Sequence, residues 1–414
     1  MHGRSLFSAA GRQRALRLRI HPMNRLLFPG SLRAICTAGL FAGAFQVSAL
    51  GQGCVAARGA GALCYPPIAG YDLAEPEFPL PGDGKGKVFA PVEIHESRFR
   101  VTLGYRWFYS DRHFVGDTEQ EHRDEEGSSV VNDSNFIDLG LEYRFTDRFT
   151  LALTVPFSWH ERSSSVRNAN DKPIYRYSVN SGGLGDLRLV GNYWIFEPKT
   201  HHKGNILIGL GVDAPTGEKD QTDTHYRRNT ATNRIESFTR NVDQSIQPGD
   251  GGWGAIVELY AYRRLNERAN LYLQGSYTIT PEEKNGVLTG RSNPFEGEMS
   301  VADTYFARVG VDYLISERCG IVASLGARIE GVMVRDLIGG SDGFRRPGYA
   351  VSIEPSLSWA NRDWAASVSV PIAVYRNRQR SVADEQETEL TGTWEHGDAA
   401  FADFLVQLSV SRQF

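Results

Sequence analysis

Long hydrophobic runs are almost missing from this 414-residue chain. The one apolar stretch that approaches a membrane span, 34–50, lies near the N-terminus, so a helical membrane protein is excluded. A charge of one sign is missing too: 45 Lys and Arg face 49 Asp and Glu, with no long basic run, and nucleic acid finds no electrostatic footprint. Cysteine is scarce, at 4 residues, and no CxxC or Cys/His set offers a zinc site. We read no serine-hydrolase elbow, no P-loop and no HExxH. Aromatics are not scarce; at 11% they are too many for a disordered chain. What remains is a soluble globular protein or a membrane protein that hides its apolar residues by alternating them with polar ones, which means a β-barrel.

The N-terminus carries the marks of export. In residues 23–49, Arg25 and Arg33 give a positive start, 34–45 an apolar centre, and Val47, Ser48 and Ala49 a small-residue cleavage site. Residues 1–22, with five arginines, read as an extension upstream of a start at Met23. Cleavage removes Cys36. Cys54 follows Gly51-Gln52-Gly53, which lacks the aliphatic residue of a lipid-attachment site, and is expected to pair with Cys64 in an oxidising compartment. Cys319 is left over and is expected to be a small buried apolar residue. Residues 50–96, rich in Gly and Pro, form a periplasmic leader or a plug, and 97–414 form the barrel.

From Ser97 onward the period is two. Phe99, Val101, Leu103, Tyr105, Trp107 and Tyr109 fall on one face, with Arg98, Arg100, Thr102, Gly104 and Arg106 on the other. Eleven further runs repeat this pattern up to Phe414, although 253–263 is ambiguous in phase. Twelve is an even number, as in bacterial single-chain barrels. Connections after strands 2, 6, 8 and 10 are short (146–148, 265–268, 315–318 and 361–363), the one after strand 4 (197–203) is a little longer, and those after odd strands are long and polar. A soluble sandwich has no reason to alternate in this way. A barrel with short periplasmic turns and long external loops does. Aromatics such as Tyr143, Phe145, Tyr313 and Trp364 gather at one end of the strands, and Trp107, Phe157, Tyr277 and Phe404 at the other, as membrane-interface girdles do.

Three segments carry a resemblance: GLGDLRL (183–189), GLGVDAPTG (209–217) and QPGDGGWG (247–254). With the strand layout of 97–414 they resemble the bacterial outer-membrane family associated with the meta-pathway of phenol degradation. The terminal LVQLSVSRQF is similar to the signal read by the barrel-assembly machinery through a final Phe414, with Arg412 departing from the usual apolar residue. The resemblance implies a channel or transporter for small organic, hydrophobic or aromatic molecules, and brings no catalytic residues with it.

Gly249, Gly251 and Gly254 match GxGxxG by letters, but a loop precedes them and a strand follows, so they read as turn glycines and not as a dinucleotide site. His160, just beyond strand 3, is the one candidate for a lipid-hydrolase site and reads as a solvated loop histidine. The segment 111–133 holds eight carboxylates against two arginines, which either bind calcium, bridge to lipopolysaccharide through divalent ions, or stay solvated. The set expected to line the lumen is Arg98, Arg100, Arg106, Asp138, Glu142, Arg144, Asp186, Arg188, Glu258, Arg308, Asp312, Arg328, Glu330 and Glu354, interleaved with small residues such as Gly104, Gly140, Gly310 and Gly326. Mixed charges there form either an open polar path or a wall-packing ionic ladder. No cofactor and no metal is expected. A passive channel is the first reading; a structural or surface-interaction barrel is the alternative, with a lipid hydrolase further behind.

Overall fold

Residues that alternate in polarity mix on a helix and separate cleanly on an extended chain. The computed structural model describes residues 98–414, and the alternating runs form twelve wall strands. They are β1 (Phe99–Val115), β2 (Val131–Arg144), β3 (Phe149–Arg167), β4 (Pro173–Leu184, continued by Leu187–Trp194), β5 (Gly204–Ala214) and β6 (Gly254–Arg264). The other half comprises β7 (Ala269–Ile279), β8 (Thr304–Ser316), β9 (Ile321–Val332), β10 (Gly348–Ala360), β11 (Trp364–Ser369, continued by Ile372–Arg378) and β12 (Ala399–Gln413). Each pairs antiparallel with its neighbours in the chain, and β12 returns to β1, from Arg100 opposite Gln413 to Phe114 opposite Ala399. Closure leaves neither end strand of the wall unpaired, as lipid requires.

The distribution of polarity is inverted relative to a water-soluble protein. On the outside Leu210, Leu325 and Ile315 are 64%, 59% and 51% exposed, while on the inside Arg328, Glu330 and Glu354 are only 1–2% exposed. Water would select the reverse, whereas a bilayer solvates the apolar face and leaves charge to the interior. Among the described residues no helix is long and apolar enough to cross a membrane. The fold is a twelve-stranded transmembrane antiparallel β-barrel.

The periplasmic turns are tight. Asn361 Oδ1 accepts the amides of Asp363 and Trp364 at 3.0 and 2.8 Å, and Gly320, at φ +64°, closes the turn before β9. That turn corrects the expectation for Cys319. It sits exposed in the four-residue hairpin tip 317–320, where the reversing chain cannot be packed inward.

Outside the membrane the chain is more ordered than loops would be. β3 and β4 continue upward as a hairpin to Arg167 opposite Pro173. Thr222–Arg228 pairs with Ile235–Asn241, and Lys284–Leu288 with Glu298–Ser300. The helix Val382–Thr391 starts with a capping box, in which Ser381 and Asp384 satisfy each other's amides. The acidic segment 111–133 is tied to its neighbours: Arg112 holds Glu119 and Asp403 at 2.6 Å each, Arg123 holds Asp398 at 2.6 Å and Lys172 holds Glu126 at 2.7 Å. Among the described residues no group of His, Cys, Asp or Glu is arranged to hold a metal. The signal segment, the leader and the Cys54–Cys64 pairing lie outside the described residues.

Candidate functional site: the barrel interior and its outer mouth

Inward-pointing charges meet across strands. Arg308 on β8 reaches over β9 to Glu354 on β10, with Nη1 2.9 Å from Oε1. Arg328 on β9 lies 2.8 Å from Glu330 and 3.7 Å from the second oxygen of Glu354. Ser369 on β11 donates to Glu354 at 2.7 Å, and Arg308 Nε donates to Gln274 at 2.9 Å. Elsewhere on the wall Arg100 pairs with Glu142 at 3.4 Å and Arg188 with Glu258 at 3.6 Å, while Asp312 accepts from Ser324 at 2.6 Å. Arg106 lies over the Phe136 ring at 3.8 Å, and Asp138 is buried on the neighbouring strand. Arg98 and Arg144 stand apart at the periplasmic rim, where Arg98 is exposed and its carbonyl accepts the Arg144 amide.

The small inward residues have large complements. Gly310 and Gly326 face each other in the β8–β9 register, and a Cβ on Gly310 would stand 2.6 Å from the Gly326 Cα. The Tyr272 hydroxyl crosses directly above both. The glycines therefore make room for a tyrosine, and the expectation that small residues leave open space fails at this point.

An aromatic lining was missing from the expected lumen set. Run 253–263 resolves with Ile256, Glu258, Tyr260 and Tyr262 inward and Val257 and Leu259 outward. Tyr260, Tyr262, Tyr272, Leu207 and Trp194 pack together inside β4 to β7. A second cluster, Phe108, Phe136, Ala402 and Leu405, lies nearer the outer end. Phe108, Phe136, Trp194 and Tyr272 hold inward positions of runs with clear phase, and Tyr260 and Tyr262 lie one period apart, so phase could have marked this layer; the expected lumen set held only charged and small residues.

The three glycine-rich segments 183–189, 209–217 and 247–254 converge. Asp186 Oδ1 accepts the Gly217 amide and Oδ2 the Asp250 amide, both at 2.9 Å. Gly217 and Gly249 are so close that a Cβ on either would come within about 2.6–2.8 Å of the other's backbone. Asn285 donates to the Asp250 carbonyl and Lys219 to the Asn285 carbonyl, both at 2.7 Å. Asp186 is thus a clamp between two outer loops at the break in β4, set apart from the wall charges it was grouped with.

Above this clamp the loops close on a charged mouth. Arg346 grips Asp243 with two hydrogen bonds of 2.7 Å, and Arg162 approaches the same carboxylate at 3.4 Å while donating to Asn132 at 2.7 Å. Burial works to raise the Asp243 carboxyl, but Arg162 and Arg346 outweigh it and hold the group well below the usual carboxylate range. Arg345, itself 1% exposed, binds Asp336 and Ser300.

Two motifs differ in the fold from their expected roles. His160 is a β3 residue pointing inward, 5% exposed, with its ring edge-on to Phe136 at 5.0 Å; it is not a solvated loop histidine, because β3 runs past it to Arg167. Residues 339–343 do spell GxSxG by letters, contrary to the expectation that the chain holds no such motif. They lie in an outer loop with no helix following, and Ser341 accepts the Asp336 amide at 2.9 Å. The glycines at 249–254 lead from a loop into β6.

No family model matches the chain, and no curated protein is recognisably similar in sequence. Solved structures of similar form include an outer membrane channel from Pseudomonas putida F1, at 13% identity over 77% of this chain and 96% of that one, with a TM-score of 0.48. The translocator domain of the autotransporter NalP from Neisseria meningitidis is 11% identical over 78% and 90% of the two chains, with a TM-score of 0.40. The P. putida toluene transporter TodX is 11% identical over 79% and 91%, with a TM-score of 0.39. At such distance nothing of their cargo transfers to this chain.

Proposed function

We propose that this chain is an outer-membrane barrel through which small organic solutes pass passively. The observation that carries the proposal is the mid-barrel belt, in which Arg308, Arg328, Glu330 and Glu354 form one connected group on the inner wall. Charges held inside a barrel cost several kcal/mol each unless paired. A wall with only a structural task would be served as well by apolar or neutral side chains. Paired charge beside the clustered aromatics Trp194, Tyr260, Tyr262 and Tyr272 instead gives a polarised, near-neutral constriction suited to small solutes. The resemblance of the three clamp segments to the phenol-pathway family points the same way. Within this proposal the chain is exported through its N-terminal signal, Phe414 is the handle for the barrel-assembly machinery, and outer-membrane lipids and lipopolysaccharide surround the wall. No catalytic role is assigned.

Vesicle swelling tests the proposal. Liposomes bearing the purified barrel should swell in isotonic glycine or arabinose and resist swelling in raffinose. Vesicles that hold inserted barrel yet swell in none of these would favour the surface-interaction alternative.

A further inference from the structure

The outer mouth contains a cavity of about 190 Å³ between the β3–β4 hairpin and the loops that follow β5, β7 and β9. Its lining includes Arg162, Tyr177, His225, Arg240, Arg291 and Phe344. The one acidic residue in the lining, Asp243, is already bound through both oxygens by Arg346. Arg291 lies 3.2 Å from Glu296 at an exposed edge and stacks on Phe344 at 3.9 Å. Arg240 has no carboxylate within ion-pair distance among the described residues; its one stacking partner is Phe238 at 5.7 Å, and its buried Nε has no hydrogen-bond acceptor. Three guanidinium groups therefore face a cavity whose only carboxylate is spoken for.

His225 is the second, independent sign of a ligand. It is 4% exposed, lines the cavity, and neither ring nitrogen has a hydrogen-bond partner. Leaving a buried polar group unsatisfied costs roughly 1–3 kcal/mol, so an orphaned imidazole at a cavity wall calls for an occupant. Burial, and next the positive charge of Arg240, lower its pKa, so at neutral pH the ring is uncharged and offers one N–H donor and one acceptor. Tyr177 and Phe238 flank the ring at 6.0 and 5.9 Å.

We infer that this cavity binds a small organic carboxylate with an apolar body, such as an aromatic or short branched acid. Arg240 and Arg291 take the carboxylate, for which a guanidinium fork is the best-matched protein group. The neutral His225 donates to it, and Tyr177 and Phe344 enclose the apolar part. The size agrees, since a cavity of about 150 Å³ accommodates benzene and the additional volume accommodates one carboxylate. The inference concerns what the mouth holds, and it stands whether or not the barrel conducts.

Isothermal titration of the full-length, detergent-solubilised protein with sodium benzoate tests it, with heat-modifiable gel migration verifying that each variant is folded. One saturable site is expected. Benzyl alcohol, equal in size and uncharged, should bind at least tenfold more weakly, and acetate and inorganic phosphate should fail to displace benzoate at equal concentration. The double variant Arg240→Gln/Arg291→Gln should lose at least tenfold in affinity, His225→Phe severalfold, and Arg240→Lys less than Arg240→Gln. Absence of saturable heat from folded protein, equal binding of benzyl alcohol, displacement by phosphate, or unchanged affinity in the double variant would each overturn the assignment.

Discussion

Glu354→Ala should cost about 3–5 kcal/mol of unfolding free energy in lipid vesicles. Glu354 is 1% exposed and receives three groups: Arg308 at 2.9 Å, Arg328 at 3.7 Å and the Ser369 hydroxyl at 2.7 Å. Truncation leaves Arg308 without its nearest carboxylate, whereas Arg328 keeps Glu330 at 2.8 Å. Breaking a buried pair is much costlier than replacing it whole. The double variant Glu354→Leu/Arg308→Met should therefore recover most of the loss. Urea unfolding of the reconstituted barrel measures both. A Glu354→Ala cost under about 1 kcal/mol would mean that water solvates this site freely, and the belt would not be a constriction.

Leu210→Arg is expected to be the other severe change, costing about 2–4 kcal/mol, because Leu210 lies midway along β5 on the outer face and is the most exposed of the apolar wall residues there, at 64%. Ile315→Arg, on the same face at the periplasmic end of β8, should cost no more than about 1 kcal/mol. Its exposure of 51% is similar, so depth in the bilayer and not accessibility separates the two. The same vesicle unfolding assay reads the difference. Equal costs would mean that the outer face does not meet a membrane.

The wall was legible in the sequence because a bilayer forces strict alternation where it touches the chain, and because short turns such as 265–268 and 361–363 match the ends of the strands they join. Beyond the bilayer that pressure stops. The upper parts of β3 and β4 run through Ser163, Ser164, Ser165 and Arg176 with no apolar phase, so a paired hairpin looked like loop. The hairpin that carries His225 was hidden for the same reason. The interior charges could be listed from their phase but not paired, since Arg308 and Glu354 are separated by a whole strand and 46 residues. The convergence of Asp186, Gly217 and Asp250 was likewise out of reach, although each segment had drawn notice on its own. Tyr272, between Leu271 and Leu273, and Phe136, before Ile137, stand at inward phase positions, so the alternation marks them as interior, but it does not show that they pack over Gly310 and under Arg106.

Single-channel recording in planar bilayers tests the central claim, a narrow passive path through a wall of paired charge. The wild-type barrel should give small, discrete and ohmic current steps with weak ion preference, because its inward arginines and carboxylates largely neutralise each other. Glu354→Gln should shift the reversal potential toward anions, and the shift should shrink at 1 M salt, where the Debye length is about 3 Å. A folded, inserted wild-type barrel that carries no current would contradict the account and leave the paired interior as a sealed wall.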